Sequence, residues 1–111
     1  MEPFPKWMKE LPEADTPFSD LEGRLLAGPQ GQAVFFRAEK DFEVPPHAHG
    51  AQWGIVVSGN LELTIEGETR KYAPGDTYSI EAGETHGARL GAGTAIIDVF
   101  QDPDRYRAKA G

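Results

Sequence analysis

The chain has 111 residues, 18 acidic side chains against 11 basic ones, and no cysteine. That length suits one domain. The acidic balance argues against a nucleic-acid surface, which needs a basic patch. Without cysteine there are no disulfides, thiolate–zinc sites or thiol catalysis; the same absence fits a reducing cytoplasm, the expected location. No apolar run approaches the roughly 20 residues that span a membrane. The first residues lack the order of a signal peptide, so neither a membrane nor an export role is expected.

Residues 1–21 hold Pro3, Pro5, Pro12 and Pro17 and cannot form one regular element. They read as an arm in which Phe4, Trp7, Met8 and Leu11 form a short helical turn, packing on the rest of the chain or on a partner subunit. From residue 22 to 111 the chain reads as a single domain of short strands, punctuated by many of its 13 glycines and 9 prolines. Strands are expected at Gly23–Ala27, Gln32–Glu39, Phe42–Val44 and on into the histidine pair, Trp53–Ser58 and Leu61–Ile65. Leu61–Ile65 alternates apolar and polar residues, the mark of one buried face. A hairpin turn at Glu66-Gly67-Glu68 leads to Arg70–Tyr72, then Thr77–Ile80, Thr85–Leu90 and Thr94–Phe100. Asp102 and Pro103 suit the cap and first position of a short terminal helix. About nine short strands with frequent turns mean an all-β fold, a sandwich or small barrel.

The chain's three histidines are clustered: His47 and His49 in Pro45-Pro46-His47-Ala48-His49, and His86 in Gly83-Glu84-Thr85-His86. On a strand, residues two apart point to one face. A third imidazole from another strand would complete a set of nitrogen ligands for one divalent transition metal ion. Zinc, nickel, manganese and iron all suit such a set.

These residues resemble the two motifs of the cupin superfamily. In the first, Gly-x5-His-x-His-x(3,4)-Glu-x6-Gly, His47, His49 and Gly59 match. Gln52 stands in the place of the Glu, with two residues rather than three between it and His49, and Asp41 replaces the leading Gly. In the second, Gly-x5-Pro-x-Gly-x2-His-x3-Asn, Gly75, Gly83 and His86 match, while Glu81 and Leu90 depart. The resemblance covers roughly residues 32–100. It implies a small antiparallel β-barrel, or jelly roll, with a metal at His47, His49, His86 and Gln52, and a homodimer. The run Ala95–Phe100, then Asp102, Pro103 and Arg105, is similar to the end of the small pectin-degradation cupins. That subgroup also places Gln at the Glu position and converts unsaturated uronates to a linear ketonised product. By that resemblance Asp98, Phe100 and Arg105 line the site, with Arg105 one residue further on than in the pattern.

An amide ligand donates less charge than a carboxylate, which favours Lewis-acid chemistry over oxygen chemistry. The alternative at Gln52 is a polar wall residue beside a metal held by three imidazoles and water. Asp98, in the apolar Ile96–Phe100 run, is the acid–base candidate, since a carboxyl in apolar surroundings has a raised pKa; otherwise it faces solvent or an interface. Tyr78 is expected to offer a hydroxyl, Trp53 an aromatic wall, and Arg105 or Arg37 a clamp for a substrate carboxylate. Packing is the alternative for Tyr78, Trp53 and Phe100, and surface exposure for the arginines. The expected function is a metal-dependent lyase or isomerase on a small sugar acid or keto acid. A non-catalytic binder and a dioxygenase are the other two readings.

Overall fold

A computed structural model describes residues 2–110. Among these, nine strands follow a short 3-10 turn at Lys6–Glu10: β1 Leu21–Gly28, β2 Gly31–Ala38, β3 Phe42–His47, β4 Gln52–Ser58, β5 Leu61–Ile65, β6 Glu68–Tyr72, β7 Thr77–Ile80, β8 His86–Leu90 and β9 Ala95–Phe100. They form a five-stranded sheet in the order β1-β2-β9-β4-β7 and a four-stranded sheet in the order β3-β8-β5-β6. Every pairing is antiparallel. The two sheets face each other as a small β-barrel of jelly-roll type, the expected class.

Period-two alternation decides what enters the barrel. In β2, residues Gln32, Val34, Phe36 and Ala38 are buried and the residues between them are not. Register then lays the inward side chains of the larger sheet in rows. The rim row is Gln32, Phe100, Gln52 and Ile80; the next row is Val34, Asp98, Gly54 and Tyr78. The apolar core lies beyond them, where Phe36, Val56 and Ile96 meet Leu61, Leu63 and Leu90 of the smaller sheet. Polar residues therefore collect at one end of the barrel and hydrophobic burial holds the other.

The arm packs on its own barrel. Met8 is buried, the Phe4 ring meets Phe35 edge-on at 5.7 Å, and Leu25 donates its amide to the Pro12 carbonyl at 2.8 Å. Among the described residues the expected terminal helix does not form. Asp102 instead closes a turn, its Oδ1 accepting the Asp104 amide at 2.8 Å, an aspartate turn that competes with helix. The tail then runs back along the arm, with Ala14 bridging Ala108.

Candidate metal centre

The three histidines meet at the rim. His47 ends β3 and is paired in register with His86, the first residue of β8. His49 is not on the strand, as the His-x-His spacing suggested; it lies in the connection between β3 and β4. Its carbonyl accepts the Gly83 amide at 2.9 Å. Gly83 has φ +84°, a turn conformation that costs glycine nothing. One ligand-capable nitrogen from each ring lies within 4.8 Å of the others.

The chemistry of these nitrogens points to a cation. Each Nδ1 faces a backbone carbonyl: His47 to Pro45 at 2.9 Å, His49 to Gly50 at 2.8 Å and His86 to Glu84 at 2.9 Å. A carbonyl only accepts, so each Nδ1 must carry the hydrogen and each neutral ring keeps its lone pair on Nε2. Yet the Nε2 atoms of His49 and His86 stand 3.1 Å apart, where two lone pairs repel. Burial lowers the His49 pKa to about 4 and lowers that of His86 as well, so a shared proton is disfavoured. Two nitrogens each about 2.0–2.1 Å from one ion stand about 3–3.4 Å apart, so a divalent metal fits this spacing.

Gln52 offers a fourth candidate donor. Its Oε1 is buried and has no hydrogen-bond partner, while its side chain lowers the pKa of Asp98, the direction in which a nearby amide N–H acts on a carboxylate. Leaving a buried carbonyl unpaired costs about 1–3 kcal/mol, and a cation would satisfy it. Gln52 and the three histidines line one cavity of about 60 Å³, together with Tyr78, Asp98, Phe100 and Tyr106.

Asp98 sits one row deeper and is 4% exposed. The Tyr78 hydroxyl donates to its Oδ1 at 2.6 Å. Burial pushes the Asp98 pKa up to about 6, despite the opposing pull of Tyr78, Gln52 and Arg105. Tyr78 is pushed up as well, first by burial and then by the Asp98 charge, and stays protonated. The contact crosses β4, for Tyr78 and Asp98 both pair with Gly54 from opposite sides. A Cβ at Gly54 would overlap both the tyrosine hydroxyl and the carboxylate.

Arg105 stands at the edge of this group. Its guanidinium lies 4.4 Å from the Tyr106 ring centroid and 5.6 Å from that of Phe100. Its charge lowers the pKa of His49, His86 and Asp98 alike, so its field reaches the site, although Arg105 itself is not among the residues that line the cavity. Gln32 holds this tail in place. Its Nε2 donates to the carbonyls of Pro103 at 3.2 Å and Tyr106 at 2.8 Å, and its Oε1 accepts the Tyr106 amide at 3.0 Å.

Two further expected residues point away from the cavity altogether. Trp53 follows inward-facing Gln52 and so points outward, 44% exposed. Arg37 follows inward-facing Phe36 and pairs on the outer face with Glu2 at 3.3 Å and Glu39 at 3.0 Å. Strand parity alone excludes both from the inner wall. Gln32, Gly54 and Tyr106 were missed. Gly54 shares a face with Gln52 by the same parity, which was a usable signal. Tyr106 lies in an irregular segment where periodicity says nothing.

The cupin domain family matches residues 34–99. The pectin degradation protein KdgF of Dickeya dadantii (strain 3937) is 40% identical over 58 residues, which are 50% of this chain and 53% of that protein. The chain thus matches about half the length of that curated relative. Among solved structures, KdgF from Halomonas sp. superposes with a TM-score of 0.74 at 28% identity, covering 83% of this chain and 86% of that one. An RmlC-like cupin from Shewanella frigidimarina NCIMB 400 superposes with a TM-score of 0.75 at 28% identity, covering 86% and 87%. With its barrel, its paired motifs and its histidine triad, the chain belongs to the cupin family and is similar to the KdgF proteins.

Proposed function

We propose that this cupin is a cytoplasmic, metal-dependent isomerase or lyase acting on a small oxygenated acid, and that its substrate class is the unsaturated uronates. Asp98 carries this reading. It is a buried acid with a pKa of about 6 lining the same cavity as the imidazoles, from the opposite sheet to His47 and His86, and poised to give and take a proton near neutral pH. The likeness to proteins named for pectin degradation supports the substrate class.

His47, His49, His86 and Gln52 would hold a zinc, nickel, manganese or iron ion, whose Lewis acidity would polarise a substrate oxygen. Arg105 binds the substrate carboxylate by charge-assisted hydrogen bonds. Phe100 and Tyr106 form an apolar wall that excludes water from that end. Opening of the hemiacetal breaks the bond between the anomeric carbon and the ring oxygen and moves the anomeric hydroxyl proton to that oxygen, leaving an aldehyde and an enol; Asp98 then delivers its proton to the enol carbon and regains one from the enol hydroxyl, so no net proton is consumed. Tyr78 keeps its own proton and holds the carboxyl in place. Phe100, whose ring lies 5.5 Å from His49, is read as a substrate contact.

Metal-loaded protein is expected to remove the conjugated absorbance of an unsaturated uronate, and chelator to stop it. Asp98→Asn is expected to lower the rate by about 10²-fold or more. Unchanged uronate with metal-loaded protein sinks the proposal.

The cavity size favours a second reading. About 60 Å³ suits a metal and one end of a ligand better than a whole sugar ring, as in a binder of metal and a small acid. Native mass spectrometry would then find an organic ligand retained without turnover. We also read the chain as a homodimer. On the outer face, register sets Leu26, Val99 and Trp53 in one row with Ala33, and those three are 58%, 41% and 44% exposed. A monomer by light scattering removes the dimer.

A further inference from the structure

We propose that Asp98 is a positioning residue for the metal centre: gripped by Tyr78 across Gly54, it turns the Gln52 amide so that Oε1, not Nε2, faces the three imidazoles. The inference rests on the reading that the imidazoles hold a metal.

An amide has two chemically opposite ends, and only its oxygen can coordinate a cation. Shape alone distinguishes the two ends poorly, so something must choose. A carboxylate has only acceptor sites. Asp98 already accepts the Tyr78 hydroxyl at 2.6 Å, and from a neighbouring amide it can accept only an N–H. The Gln52 nitrogen therefore turns toward Asp98, and the oxygen is left buried and unpartnered. The reversed amide would set its carbonyl against the carboxylate and point N–H groups at the imidazole lone pairs. The first contact is repulsive, and the second spends on the imidazole lone pairs N–H groups that cannot ligate a cation.

The larger sheet is built for this arrangement. Gln52 and Gly54 are two apart on the inner face of β4, and Tyr78 and Asp98 flank Gly54 from β7 and β9. The absent Cβ at Gly54 leaves the space in which the two side chains meet.

The test compares zinc affinities, measured by titration above the Asp98 pKa, of wild type, Asp98→Asn and Asp98→Leu. Both variants remove the negative charge. Only Asn presents an N–H group, and while Tyr78 donates to its Oδ1 as it does to Asp98, that N–H faces Gln52 and reverses the amide. Asp98→Asn is expected to bind zinc about tenfold or more weaker than Asp98→Leu, in the range of lost outer-shell partners of metal ligands. Equal affinities overturn the inference, because the effect is then one of charge. Failure of the wild type to bind zinc overturns the metal reading instead.

A second measurement needs no variant. In the zinc-loaded wild type, the Gln52 side-chain N–H protons are expected to show nuclear Overhauser contacts to Tyr78 and none to the His49 and His86 rings. The opposite pattern overturns the inference even if a variant fails to fold.

Discussion

Replacing Asp98 by Asn in metal-free protein isolates the cost of burying this carboxylate. Burial raises its pKa from 3.8 to about 6. Roughly two units at 1.36 kcal/mol each amount to about 3 kcal/mol. The folded state keeps the proton to higher pH than the unfolded chain, so between the two pKa values the native state binds more protons. Stability therefore falls as pH rises through that window. The contribution of the neutral acid is fully present below about pH 4 and is lost as pH passes about 6. At 4% exposure, solvent does little to screen the charge. Asn does not titrate. Urea unfolding with chelator present, at steps from about pH 4 to about pH 7, should show the stability of wild type relative to Asp98→Asn falling by about 3 kcal/mol. The same difference at every pH would refute a buried, titrating Asp98.

Gly54→Ala should cost about 1–3 kcal/mol by overpacking, since its methyl would occupy the meeting point of Tyr78 and Asp98; a melting temperature equal to wild type would show that the contact yields freely. Chelation should lower the melting temperature of metal-loaded protein, because a metal at one hundred times its Kd adds about 2.7 kcal/mol; His86→Ala should lose both the metal and the chelator response in calorimetry. Gln32→Leu removes three hydrogen bonds to the tail and should speed trypsin cleavage after Arg105 or Arg107. Equal cleavage rates would show that Gln32 does not hold the tail.

Much of the barrel was legible because its signals are local. Leu61–Ile65 and Thr77–Ile80 run as strands over the residues expected, since alternation and flanking turns mark both ends. The histidine triad was legible because its residues are chemically distinctive and tied to glycine-marked turns. Trp53 and Arg37 were misplaced because residue type was weighed before strand parity. Asp102 and Pro103 were read as a helix start, but the Asp102 side chain closed a turn instead.

Sequence alone determined the all-β class, the three histidines and the candidacy of Gln52 and Asp98, because pattern and residue chemistry reside in the chain itself. Tertiary structure decided what depends on neighbours far apart in sequence. Burial raised the pKa of Asp98, register set Tyr78 against it across Gly54, and Gln32 brought Tyr106 to the cavity. The orientation of the Gln52 amide belongs to this second group: the residue type allows either end to face the imidazoles, and the carboxylate beside it selects the oxygen.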